Sequence, residues 1–230
     1  MRVSRVLGVD ACRAGWVAIA WAAGPVQAYV HQDIAAIAGL AAADGPVDII
    51  GIDIPIGLAD STTRQADLLA RKAAGPRWAS VFVTPVRPAL SVDHYQQASA
   101  LNRQLTGSGI SRQAFNLRDK ILQVDDWLPC ARCPVVEVHP ELSFAMLGGA
   151  PLTDSKSTWP GAVRRTRLLA DAGIEVSGDL GLAGLQVGVD DVLDAAAVAW
   201  SAARVARGAA RCLPAPPERF SDGIACAIWT

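Results

Sequence analysis

Lysine is scarce in this 230-residue sequence: apart from Lys72, Lys120 and Lys156, its basic residues are arginines and three histidines. Acids and bases nearly cancel, leaving a formal net charge of -1. Coating nucleic acid without specificity requires a large excess of Lys and Arg, so that class of function is disfavoured, although a local basic groove is not. The chain also lacks an apolar run of the roughly 18–20 residues that a membrane-spanning helix needs. Its first ten residues carry Arg2 and Arg5 but no apolar segment and no small-residue cleavage site, so no secretory signal is expected. Cysteines number five, an odd count at scattered spacing, which argues against a disulfide framework. No G-x-x-x-x-G-K-[ST] and no G-x-G-x-x-G occurs, so P-loop and dinucleotide folds have no support. These absences lead to the expectation of a soluble, cytoplasmic protein that does not engage membranes.

What is present is a large apolar fraction, 51% of residues, enough for a sizeable core. The apolar stretch Val3 to Val9 and the run Gly15 to Trp21 flank the short connection Ala11-Cys12-Arg13-Ala14, which predicts a β-hairpin, with Val26 to Val30 as a third strand. A helix is expected over 31–43, stopped by Asp44-Gly45-Pro46. Asp48 to Ile54 is apolar on both faces, the mark of a central strand covered by helices. Helices are expected over 60–74, 113–128, 141–147 and 162–172, and a strand over 135–138. The Ala-rich stretch 190–208 predicts the longest helix, and the Pro-rich segment Leu213 to Pro217 leads to a last strand, Ile224 to Trp229. The order is three strands, helix, strand, helices, strand, helices. It predicts one α/β domain over 1–230, with residues 77–132 as an insertion between the fourth and fifth strands.

Acids fall at special places in this order. Asp10 ends the first strand, Asp53 lies near the end of the fourth, Glu137 lies in the fifth, and Asp191 and Asp194 open the long helix. If strands one and four are parallel neighbours, Asp10 and Asp53 share one sheet edge. Residues three apart share a helix face, so a helix beginning over that edge delivers Asp191 and Asp194 together. Carboxylates packed this way stay charged only if a cation compensates them. Hard oxygen donors suit Mg²⁺ or Mn²⁺, and two such ions roughly 4 Å apart can activate a water and stabilise a leaving oxygen in phosphodiester cleavage. The plainer alternative is that these acids are turn and helix caps favoured by the helix dipole. Asp53 weighs against it, since a lone carboxylate inside an apolar strand is costly.

The segments GVDACRAGW (8–16), IGIDIPIGL (50–58), SVFVTPVRPAL (80–90), VVEVHPELSF (135–144) and DDVLDAAAVAW (190–200) resemble the DUF429 family, whose members are described as predicted ribonuclease H-like nucleases. The resemblance implies a ribonuclease H-like mixed sheet, in which an antiparallel three-strand meander continues into parallel strands flanked by helices. The Asp191-Val192-Leu193-Asp194-Ala195-Ala196 stretch also resembles the final acidic helix of RuvC-type resolvases. That likeness implies a metal site of Asp10, Asp53, Asp191 and Asp194. Glu137 departs from that set and matches instead the family's E-x-H-P-E motif, which adds it as a catalytic candidate. The family likeness further implies phosphate contacts from Arg77, Arg87, Lys120 and Lys156, with Arg64 and Arg71 nearby; the alternative is ion pairing on helix faces.

The expected activity is therefore metal-dependent phosphodiester hydrolysis of nucleic acid, with Mg²⁺ or Mn²⁺ as cofactor and a homodimer left open. A nucleotide-dependent phosphotransferase of the actin and sugar-kinase kind shares the G-x-D start but normally carries two such domains. A non-catalytic binding module is the third option. Cys130-Ala131-Arg132-Cys133 lacks the further ligands a structural zinc site needs. His139 is either a general base or a histidine that pins its turn. Among seven tryptophans, Trp78, Trp127 and Trp159 lie in less regular segments where one is expected to be exposed.

Overall fold

The computed structural model describes residues 5–230. Its first strands are β1 (Val6–Cys12), β2 (Gly15–Trp21) and β3 (Gln27–His31), followed by helix α1 (Ile34–Ala43) and strand β4 (Ile49–Ile52). Val3, expected to begin the first strand, lies outside the described residues. β1 and β2 run on to Cys12 and Gly15, so the hairpin turn is only two residues long. Gly15 has φ +125, which an L side chain rarely adopts. Asp33 caps α1 by accepting from the Ala36 N–H, which leaves His31 in β3 and shortens the expected helix at its start.

Between β4 and the next strand come α2 (Gln65–Ala73), a 3-10 turn (Gly75–Ser80), α3 (Arg87–Leu90), α4 (Tyr95–Thr106), α5 (Arg112–Asn116) and α6 (Arg118–Trp127). The single helix expected over 113–128 is thus two, broken at Leu117. Within the expected insertion, Val86, Ala89, Ala98, Ile110 and Ala114 form a small core of their own with Ala59. By contrast, Ile121 and Val124 of α6 pack on the main sheet beside α1. The chain continues with β5 (Val135–Val138), α7 (Pro140–Gly148), α8 (Trp159–Asp171), α9 (Val189–Ala206), β6 (Cys212–Arg219) and β7 (Ala225–Trp229).

The seven strands form one sheet in the order β3-β2-β1-β4-β5-β7-β6. β1–β2, β2–β3 and β6–β7 are antiparallel, and β1–β4, β4–β5 and β5–β7 are parallel. Mixed order of this kind, with helices on both faces, is consistent with a ribonuclease H-like fold. The Pro-rich segment is itself an edge strand. Prolines lack the N–H that a central ladder needs, and the β6–β7 register is irregular between Leu213 and Glu218, where Pro214, Pro216 and Pro217 sit.

Side chains alternate between two cores. Val6 and Ile49 face α7, α8 and α9. Leu7, Val9, Ile50 and Ile52 face α1 and α6. Gly8 and Gly51 are register partners on the α9 side. A Cβ on Gly8 would lie 2.1 Å from the Ala195 carbonyl O and from the Ala199 N, and one on Gly51 would lie 2.9 Å from Val198 Cγ1. Two glycines side by side in the sheet, under an alanine stripe in the helix, let α9 lie backbone against backbone on β1 and β4. Of its residues, Leu193 to Ala199 and Ser201 to Ala203 are buried.

Candidate active site

Period-two alternation carries the α9-facing row onward from Gly8 to Asp10 and from Gly51 to Asp53. The Asp53 N–H donates to the Val9 carbonyl at 2.9 Å, so Asp53 prolongs the β4 ladder although it stands one residue past the strand. Because α9 is pressed onto the glycines, its first turns end up over the same sheet edge. Asp10 (6% exposed) and Asp194 (3% exposed) are buried there. Their charges act on one another: burial, and then Asp53 and Asp194, hold the Asp10 carboxyl well above the ordinary range. Burial pushes Asp194 up to about 6, even against the attraction of Lys156. Asp53 is raised as well, chiefly by burial, and among the described residues its carboxylate accepts no hydrogen bond.

Lys156 is the counter-charge. Its Nζ lies 2.5 Å from Asp194 Oδ2 and 3.9 Å from Asp190 Oδ2. The attraction of Asp194, Asp10 and Asp53 raises its pKa despite burial. Asp191 sits at the rim. One of its oxygens accepts from the Gly188 N–H at 3.1 Å, so it caps α9, and its carboxyl is raised mainly by burial. Asp10 Oδ1 accepts from the Ala11 N–H at 2.7 Å. The capping alternative thus holds for Asp191 but does not account for Asp53.

A cavity of about 120 Å³ opens beside the acids, lined by Asp53, Asp194, Lys156, Arg77, His139 and Glu141, among others. Arg77 lies 3.3 Å from Glu141 Oε1. Glu141 in turn accepts two hydrogen bonds, at 3.0 and 3.1 Å, from Nη2 of the fully buried Arg165. Arg165 also donates to the Asp154 carbonyl and so braces the loop that presents Lys156. Sequence reasoning passed over Arg165, which reads as an ordinary surface cation of an amphipathic helix; Glu141 had been noted only as the last member of E-x-H-P-E. Both nitrogens of His139 are engaged: Nδ1 accepts from the Glu141 N–H at 3.3 Å, and Nε2 faces the Ser80 carbonyl at 3.4 Å. His139 therefore braces α7 against the 3-10 turn rather than presenting a free base.

Glu137, Arg87, Lys120 and the nearby Arg64 do not line this cavity. Glu137 pairs in register with Ile52, and Val136, not Glu137, shares the α9 face, so parity aims Glu137 at the opposite side of the sheet. There it binds Arg64 Nη2 at 2.7 and 2.8 Å and accepts from the Ile56 N–H, and burial pushes its carboxyl up to about 7. Arg64, with 0% exposure, cannot grip a phosphate in a solvated groove. Arg87 is held by Asp125 and Asp222 in a different cavity of about 610 Å³. Lys120 lies over the Trp16 ring, 4.5 Å from its centroid, and does not line the acid cavity. Of the expected phosphate contacts, Arg77 and Lys156 alone line it.

The donor set suits a hard divalent cation in its chemistry: three converging carboxylates face a single ammonium, and one of them has no hydrogen-bond partner. With Lys156 seated on Asp194, no group of three or more His, Cys, Asp or Glu side chains among the described residues forms a ready coordination set. Cys130 is exposed and Cys133 half-buried, both as free thiols. Among the described residues, no helix is long and apolar enough to cross a membrane.

A family model described as "Protein of unknown function (DUF429)" matches residues 8–219. No curated protein matches the chain, and no solved structure does.

Proposed function

Because the chain belongs to the DUF429 family, whose description assigns no activity, we propose its function from the site itself: a divalent-metal-dependent nuclease that hydrolyses phosphodiesters. The observation that carries this reading is the convergence of Asp10, Asp53 and Asp194 from β1, the end of β4 and α9, with Lys156 bonded to Asp194. Burying so much like charge without a function would be costly.

Asp10, Asp53 and Asp194 would hold the metal, with Asp191 at the rim. When bound, Mg²⁺ or Mn²⁺ polarises a phosphate and offsets charge building on the leaving oxygen. The chain's own residues supply the rest. Arg77 and Lys156 bring positive charge to the cavity to bind non-bridging phosphate oxygens. Glu141 and Arg165 fix where those two cations stand. Lys156, held by Asp194 at 2.5 Å, is placed to turn its ammonium to a phosphate oxygen if Asp194 were engaged by a cation.

Mn²⁺ titrated by calorimetry into metal-free protein tests this, with Asp10→Asn and Asp194→Asn alongside. Saturable binding that both variants lose, together with Mn²⁺-dependent cleavage of an oligonucleotide by the wild type, is the expected result. Absence of binding up to millimolar Mn²⁺ would favour a non-catalytic module.

A further inference from the structure

We propose that the site takes unpaired nucleotides, with Trp78 and Trp159, carried by the two segments that supply Arg77 and Lys156 to the acid cavity, as stacking platforms; this rests on the nuclease reading above. Tryptophan is highly buried on average, and Trp16 and Trp21 follow that rule at 0% and 9% exposure. Trp159 is 81% exposed and Trp78 is 52% exposed. Both lie close in sequence to cavity-lining residues: Trp78 between Arg77 and Ser80, Trp159 three residues after Lys156.

The two elements that carry them are joined. A Cβ on Gly75, at the start of the 3-10 turn, would lie 3.4 Å from Pro151 in the loop leading to Lys156. Glu141 holds Arg77 of that turn and Arg165 of α8 together. The ring of the first platform is held by a cation, and the backbone of the second is held by a helix cap. The Arg71 guanidinium stacks on Trp78, 4.6 Å from the ring centroid. Trp159 is the first residue of α8, whose cap Thr158 accepts from the Gly161 N–H.

Charge supports the same occupant. Lys72, which follows Arg71 in α2, and Arg164 and Arg167, further along α8 from Trp159, are exposed and have no ion pair among the described residues. Cations that track a backbone, interleaved with aromatic faces, are how single strands are held without reading their sequence. A duplex hides its base faces, so these platforms offer it little. The cavity itself, at about 120 Å³, suits a phosphate and leaves the bases outside, where the tryptophans stand.

The test is fluorescence anisotropy of a labelled single-stranded 16-mer and its duplex, at low salt in EDTA, with wild type, Trp78→Ala, Trp159→Ala and Trp159→Phe. Unfolding curves check that these exposed substitutions leave the fold intact. The expected result is preference for the single strand, roughly tenfold loss for each Ala variant, and near-complete recovery with Phe. Equal or tighter duplex binding, single-strand binding unaffected by both Ala variants, or no binding at all would each overturn the inference. Cleavage with Mn²⁺ is scored separately. Tryptophan-dependent binding without cleavage would sink the nuclease reading and leave the platforms standing; duplex cleavage indifferent to both tryptophans would do the reverse.

Discussion

Substituting Gly8 by alanine should damage the fold and the acid site together. The new Cβ would stand 2.1 Å from two backbone atoms of α9, and backbone cannot rotate aside as the end of a flexible side chain can. Restoring ordinary contact requires α9 to retreat by about 1 Å, losing dispersion contact along its alanine face. Overpacking typically costs 1–3 kcal/mol, and a clash with backbone belongs at or above the top of that range, so about 3 kcal/mol is expected. That is a large share of the 5–15 kcal/mol that holds a typical domain together. Asp194 rides on the displaced helix, so Mn²⁺ affinity should fall as well. Gly39→Ala is the control, because α1 leaves open space there and a helical alanine gains roughly 0.5–1 kcal/mol over glycine. Urea unfolding of the three proteins, followed by Mn²⁺ calorimetry on those that fold, decides the matter. A Gly8→Ala protein within about 0.5 kcal/mol of wild type, or one that keeps wild-type Mn²⁺ affinity, would refute the claim that glycine contact seats the helix.

Lys156→Ala should tighten Mn²⁺ binding several-fold while reducing cleavage, because it removes both the ammonium that competes for Asp194 and a phosphate contact; weaker Mn²⁺ binding would contradict this. Glu137→Gln should weaken the fold by leaving buried Arg64 with Asp67 as its one remaining carboxylate partner among the described residues, and by more at pH 5 than at pH 8, because the wild type is itself weakened as Glu137 ionises. Its Mn²⁺ binding should be unchanged, and loss of binding in a folded variant would return Glu137 to the site. In EDTA the protein should be more stable at pH 5 than at pH 8. Carboxyls raised in the folded state, Asp194 to about 6 and Glu137 to about 7, hold protons there that the unfolded chain has released, so stability falls as pH rises through those values. For Asp194 alone the loss between pH 5 and pH 8 is about 1.4 kcal/mol. Urea midpoints that stay flat across this range would count against the buried acid cluster, and saturating Mn²⁺ should reduce the slope.

Periodicity and composition alone revealed the β-hairpin start, the buried fourth strand, the end of α1 and the long α9. These signals are local, written in residues two or four positions apart. Placing Asp10 beside Asp53 needed one further assumption, that strands one and four are parallel neighbours, and the apolar run around Asp53 already argued for a central strand. Glu137 shows where such reading stops: its side depends on register with Ile52, and a shift of one residue would have reversed it. The Pro-rich segment became an edge strand because β7 lies between it and β5, a long-range arrangement that no local window contains. The same holds for Lys156, Glu141 and Arg165. Their types were visible, but their partners lie 38 and 24 residues away, and only the packing of α7, α8 and α9 on the sheet turned three separate charges into one cluster. Sequence chose the elements because short-range sterics and burial patterns choose them; the tertiary structure decided which charges meet, because that depends on which faces the core brings together.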